Sequence, residues 1–312
     1  MLTFGKYNEY SYEYVMDNHK DYCIWIIKQN NINNINNNKM LDFYHYIQNN
    51  INKLYNIKDL IGIQKITCTA LVNYIICDKN FISNIMELNI NETKLGCNII
   101  PNQYNNYYGQ FIDYLVRYEI AKKHNISFSD DRSKYIIMHG SKKEEFDVYH
   151  NIIKVSYNNM INKNASICDI FNVSLCHSIF FGDTDVYKMI NTINNYDIIS
   201  YNNIIKYINN MQFNNIILNP ILNNYDLGII GDGDLIMDNT IIDIKVSNNI
   251  GLHIYDFIQL IIYAIIYYKN TNIICNRLVI CNFLKGNEYI INIDETLIIK
   301  LCNIVKEYNI VN

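Results

Sequence analysis

The chain has 312 residues, half of them hydrophobic and 18% charged, with a formal net charge of −4. That length supports one large domain, or a domain with a small module, around a sizeable core. The negative balance argues against non-specific nucleic-acid binding driven by bulk charge, so a nucleic-acid role would need a local patch.

Asn, Ile, Tyr and Lys dominate, with only 2 Pro and 11 Gly. All four frequent residues have A/T-rich codons, a bias met in some giant DNA viruses and protozoa, and it blurs helix and strand patterns alike. The opening "MLTFGKYNEY" lacks the apolar segment of a signal peptide. The nine cysteines include no CxxC pair. A soluble intracellular protein with reduced thiols is therefore expected. The longest apolar run, Phe257 to Tyr268, contains Gln259. It is shorter than the roughly 20 residues of a membrane span, so a buried helix is predicted and no membrane role.

In chain order, residues 1–38 read as a small α+β module. A Gly5 turn sits between alternating aromatic positions, and a helix follows that ends in Cys23, Trp25 and Ile26. Trp25 and Tyr22 read as core of this unit rather than as a base-stacking platform. The Asn-rich tract "NNINNINNNK" reads as a linker. Residues 39–95 show apolar positions three and four apart and read as helical. Gln110 to His124 is a further amphipathic helix, and residues 130–222 read as a mostly helical insertion. "YDLGIIGDGDLIMD" and "TIIDIKVS" then read as strands joined by an Asn-Thr turn. A helix, a hairpin turning at Lys285-Gly286-Asn287 and a last helix complete the chain.

The chemistry concentrates in the two strands. Residues two apart on a strand share a face, so Asp243 and Lys245 project together. Asp234, on the preceding strand, joins them if the register allows. Two carboxylates suit Mg²⁺, which keeps several waters and takes phosphate as a further ligand. A lysine beside them suits the handling of a nucleophilic water. Gln259 and Tyr263 lie one turn apart on the next helix. Asp113 and Arg117 share the same spacing on the earlier helix, where Asp113 suits a third acid of the site and the pair equally suits a surface ion pair. Lys122, Lys123 and His124 end that helix, where cations suit the dipole and a phosphate contact is the alternative. Asp232 and Asp238 read as turn residues. Neither the EF-hand nor the P-loop pattern fits: Met237 stands where the calcium loop needs Gly, and "HGSKKEE" lacks the leading Gly. His139, His150, His177 and His253 show no zinc spacing.

"GDGDLIMD…IIDIKVS" followed by "QLIIY" resembles the D…(D/E)xK and QxxxY signatures of the PD-(D/E)xK nuclease superfamily, in its RecB-like and lambda-exonuclease-like branch. "YYGQFIDYLVR" resembles that branch's first motif. The resemblance covers about residues 105–300. It implies a restriction-endonuclease-like mixed sheet flanked by helices, over residues 96–312. It also implies a metal-dependent nuclease of exonuclease type, acting on DNA in replication, recombination or repair. By that resemblance Asp234, Asp243 and the Ile244 carbonyl hold Mg²⁺ or Mn²⁺. Lys245 handles the water, Asp113 takes the place of the branch's His or acid, and Gln259 and Tyr263 brace the site. An RNA-directed nuclease, and a non-catalytic binding or assembly module on the same fold, are the alternatives. Some relatives carry an iron–sulfur cluster. Cys97, Cys275, Cys281 and Cys302 follow its order but not its spacing, so no cluster is expected. The N-terminal "FGKY…YCIWI" resembles a short module found at the C-terminus of exodeoxyribonuclease X-like proteins.

Overall fold

The computed structural model describes the chain except for residues 1, 3, 31–37, 51–53, 56–59, 61–64, 87, 98, 100–104, 140–146, 181–184, 193–194, 248–253, 309 and 311–312. The central part of the Asn-rich tract, the Gly140–Lys143 segment and His253 lie outside the described residues.

The first part of the chain supplies α1 (Tyr12–Asn18), α2 (Lys20–Asn30), α3 (Asn38–Asn49), β1 (Ile66–Thr67), α4 (Cys68–Ile75), α5 (Lys79–Met86) and β2 (Ile90–Lys94). The middle is helical: α6 (Asn105–Lys123), α7 (Asp131–His139), α8 (Asp147–Ile161), α9 (Ile167–Ser174), α10 (Cys176–Phe180) and α11 (Asn195–Asn210). The last third holds β3 (Ile216–Leu218), β4 (Ile229–Ile230), β5 (Leu235–Met237), β6 (Thr240–Lys245), α12 (Ile254–Thr271), β7 (Arg277–Asn282), β8 (Asn287–Asn292) and α13 (Glu295–Glu307).

Six strands form one mixed sheet in the order β2-β8-β7-β6-β5-β3. The central β6–β7 pair is parallel and the other pairs are antiparallel. A parallel pair needs a crossover, and α12 is that crossover, between β6 and β7. β1 and β4 form a separate parallel pair.

Alternation along the strands splits the core in two. Ile241 of β6 and Leu278 and Ile280 of β7 face one hydrophobic cluster, with α12, α13, α4 and the N-terminal helices. Ile242, Ile244, Val279 and Cys281 face the other, with α6 and α8 to α11. Because α12 is buried along most of its length, it reads apolar on every side. Burying each of its isoleucines contributes about 2 kcal/mol.

The structure shows a mixed α/β architecture with helices on both faces of the sheet, and it corrects the sequence reading at both sheet edges. Ile90–Lys94, read as the end of a helical segment, is the edge strand β2, and all five of its residues are exposed. Ile216–Leu218, inside the expected helical insertion, is the opposite edge strand β3. The β5–β6 turn falls at Asp238-Asn239 rather than Asn-Thr, since Met237 pairs with Thr240. Asp238 there adopts a positive φ of 49° and accepts hydrogen bonds from Asn214 N and Asn215 N. The β7–β8 hairpin turns as expected at Gly286, whose φ of 65° suits glycine. At the N-terminus, Leu2 bonds across the Gly5 turn to two residues: its N–H donates to the Tyr10 carbonyl and its carbonyl accepts from the Glu9 N–H, both at 2.8 Å. Ser11 caps α1. No helix among the described residues is long and apolar enough to cross a membrane.

Candidate metal centre

The β5–β6 register puts Leu235 opposite Ile242. One step further, Asp234 stands opposite Asp243. Asp234 Oδ2 accepts the Ile244 N–H at 2.6 Å, which ties the carboxylate to the backbone of β6. In a strand the N–H and C=O of one residue point to the same side. The Ile244 carbonyl therefore lies on the Asp234 side of β6.

Asp243 and Lys245 share the α12 face of β6, and Lys245 Nζ stands 2.8 Å from Asp243 Oδ2. Asp243 is 8% exposed. Its Oδ2 is charge-paired but has no hydrogen bond of acceptable geometry.

Electrostatics sets the pair against itself. Burial, then the negative charges of Asp113 and Asp243, push the Asp234 carboxyl well above the usual carboxylate range, against the pull of the Ile244 N–H and Lys245. Burial also raises the Asp243 carboxyl, with Asp256 and Asp113 adding to the rise and Lys245 opposing it. For Lys245, burial pulls its ammonium down, but Asp243 and Asp256 outweigh this and hold it raised and protonated.

Asp256 was not foreseen. Its Oδ1 lies 3.6 Å from Lys245 Nζ, so the lysine is held between two carboxylates. The signal was present in the sequence: Asp256, Gln259 and Tyr263 lie three and four apart on α12 and share one face. Gln259 Nε2 donates to the Tyr263 hydroxyl at 2.8 Å and reaches Thr69 Oγ1 at 3.5 Å. The Tyr263 ring presses on the loop leading into Asp234. A Cβ on Gly231 would come within 3.1 Å of both Tyr263 Cε1 and Cys68 Cβ. Glycine at 231 thus lets the ring and α4 approach the backbone. Gln259 and Tyr263 support this loop, and they reach the acids through it.

Asp113 approaches from α6. Its carboxylate takes a forked pair of bonds from Arg117, with Nε to Oδ1 at 2.8 Å and Nη2 to Oδ2. The pair is not a surface feature, because Arg117 is buried, with its guanidinium over the Tyr114 ring at 4.7 Å and its Nη1 without a hydrogen-bond partner. Asp113 is close enough to raise both site carboxyls but is committed to Arg117. Among the described residues no group of three or more His, Cys, Asp or Glu is arranged to hold a metal ion. The arrangement is therefore a two-carboxylate site with a third acid nearby, held by arginine.

The remaining residues separate. Lys123 Nζ donates to the carbonyls of Ile208, Asn209 and Met211, so it closes the end of α11 rather than standing free for phosphate. His150 Nε2 lies 2.7 Å from the Ile137 carbonyl. The four cysteines in iron–sulfur order divide between the two faces of the sheet. Cys275 and Cys302 lie in one core cluster, Cys97 and Cys281 in the other. Trp25, expected in the core of the N-terminal unit, is 44% exposed.

Comparison with known proteins adds no relative: no protein family, no curated protein and no solved structure matches the chain.

Proposed function

We propose that this chain is a divalent-metal-dependent nuclease of PD-(D/E)xK type, on a restriction-endonuclease-like sheet, hydrolysing phosphodiester bonds in DNA. The observation that carries the reading is the convergence of Asp234 and Asp243 on adjacent strands with the Lys245 ammonium 2.8 Å from one of them. Two mutually repelling, desolvated carboxylates on neighbouring strands fit a divalent cation.

Asp234, Asp243 and the Ile244 carbonyl would hold Mg²⁺ or Mn²⁺. The ion supplies Lewis acidity toward the phosphate and the attacking water. Lys245, kept protonated by Asp243 and Asp256, orients that water and offers a cation to the charge that develops on the phosphate. Asp256 would hold the ammonium independently of an Asp243 engaged with the ion. Arg117 fixes Asp113 and limits the negative charge facing an incoming phosphate. Gln259 and Tyr263 hold the Gly231–Asp234 loop at its position.

The test is cleavage of end-labelled linear DNA and of closed circular DNA with Mg²⁺ or Mn²⁺, beside Lys245→Ala. Cutting of linear DNA alone, abolished in the variant, supports an exonuclease. Cutting of the circle as well supports an endonuclease. Metal-dependent cutting that survives in Lys245→Ala would overturn this site. A second reading, a non-catalytic binding or assembly module on the same fold, is favoured by one observation: Lys245 is already satisfied as a structural ion pair between two carboxylates. It predicts no metal-dependent cutting of DNA or RNA.

A further inference from the structure

The N-terminal unit carries a feature that the metal centre does not use. Aromatic rings run in series across its surface. Tyr14 stacks on Tyr10 (centroids 4.8 Å, 17°), and Tyr10 meets Tyr7 edge-on at 6.4 Å. Tyr7 stacks on His19 (4.1 Å, 20°) and meets Tyr22 edge-on at 4.8 Å. Tyr22 stacks on Trp25 (5.4 Å, 20°). The ends of the series are open to solvent: Tyr10 is 46% exposed, Tyr14 43% and Trp25 44%. A cleft of about 360 Å³ opens beside it, where the carboxylates of Asp17 and Asp21 and the Lys20 ammonium meet the rings of Tyr7, Tyr22 and Tyr55.

Tyr7 and Tyr22 pack against the core, whereas Tyr10, Tyr14 and Trp25 keep exposed ring surface that core packing does not use. Exposed ring faces suit either nucleobases or cations, and the surrounding charge decides between them. Residues 4–25 carry Glu9, Glu13, Asp17 and Asp21 against Lys6 and Lys20, a formal net charge of −2 with His19 neutral. A phosphate backbone would be repelled, since single-stranded nucleic-acid platforms pair their rings with a positive groove. A cation is attracted by both the ring faces and the acids. The chain itself shows the chemistry: Lys6 Nζ lies 5.5 Å above the Tyr7 ring, and Lys20 Nζ lies 5.3 Å above Tyr55, whose hydroxyl donates to Asp21 at 3.4 Å.

We propose that this strip and cleft form a docking surface for a basic, arginine-bearing peptide segment of a partner protein. Guanidinium planes would stack on the exposed rings of Trp25 and Tyr10 while Asp17 and Asp21 take their N–H groups; Tyr22, stacked between Trp25 and Phe43, backs the Trp25 ring. Arginine fits better than lysine, because its flat guanidinium stacks on a ring and pairs with a carboxylate at the same time. This surface is independent of the nuclease reading and stands or falls without it.

The test uses the full chain. Trp25 is its only tryptophan, so fluorescence excited selectively at tryptophan, at the red edge where the tyrosines do not absorb, reports on this surface alone. A twelve-residue Arg/Gly peptide, a Glu/Gly peptide and oligothymidylate are titrated in parallel, and labelled-peptide anisotropy gives a second readout. The expected result is a saturable Trp25 signal with the Arg/Gly peptide only, weakened by salt. Anisotropy should show about tenfold weaker binding in Asp17→Asn/Asp21→Asn and in Trp25→Ala. These three side chains are exposed, so unchanged circular dichroism and melting are expected to show intact variants. No binding of the Arg/Gly peptide overturns the proposal, as does binding that both variants retain in full. Tighter binding of oligothymidylate overturns it in favour of a base-stacking platform.

Discussion

Replacing Lys245 with methionine keeps the length of the side chain and removes its charge. At 2.8 Å from Asp243 and 3.6 Å from Asp256, the ammonium's gross attractions are about 6 and about 5 kcal/mol at an effective dielectric of about 20. Desolvation of the lysine and the loss of its rotamer freedom offset most of this. Breaking a buried pair costs about 3–5 kcal/mol. The Lys245 side chain is 30% exposed, so solvent screening places the loss nearer about 2–3 kcal/mol. For a chain of 312 residues that is about 3–5 °C in melting temperature. The assay is urea or thermal unfolding of the metal-free protein at pH 7, run as a double-mutant cycle with Asp243→Asn. Lys245→Met should cost at least about 1 kcal/mol more with Asp243 intact than in the Asp243→Asn background, where only Asp256 remains to hold the lysine. Equal costs in the two backgrounds would refute the pair as the element that makes Asp243 tolerable in the buried sheet.

Three further outcomes follow from the same geometry. Mg²⁺ or Mn²⁺ at about 100 times its dissociation constant should stabilise the protein by about 2.7 kcal/mol, or about 4 °C, and not stabilise Asp243→Ala; identical thermal shifts in the two proteins would place the ion elsewhere. The Asp234 carboxyl is raised in the folded state, so the folded protein holds this proton more tightly and loses stability as pH rises from the ordinary carboxylate range through the raised one. Asp234→Asn should therefore stabilise the metal-free protein at pH 7 by roughly 1 kcal/mol or more, with the gain fading once pH falls below about 4, the usual aspartate range; a gain independent of pH would point to packing instead. Gly231→Ala brings a methyl within 3.1 Å of Cys68 Cβ and Tyr263 Cε1 and should cost about 1–2 kcal/mol in thermal unfolding; no loss would show that the ring does not press on this loop.

The elements of the site were legible because their patterns are local. A period of two placed Asp243 and Lys245 on one face, and a period of 3.6 placed Gln259 and Tyr263 on another. Both survive a composition full of Ile and Asn. The hairpin at Gly286 was equally readable, since a positive φ leaves a glycine in the sequence. The edge strands were not. Ile90–Lys94 has no buried residue, so no alternation marks it, and Ile216–Leu218 is only three residues long. Both are strands because a neighbouring strand, β8 or β5, offers its hydrogen-bonding edge.

By itself the sequence determined which residue types were available for the chemistry, their spacing along each element, and the buried character of α12. Only the tertiary structure decided which charges meet. It set Asp234 opposite Asp243 through the β5–β6 register and brought Asp256 to Lys245 by packing α12 on the sheet. It drew Asp113 into a fork with a buried arginine and left Trp25 facing solvent. The physical reason is range. Periodicity acts over one strand or one turn, whereas the field at a carboxylate comes from whatever the fold brings near it, however far away in the chain.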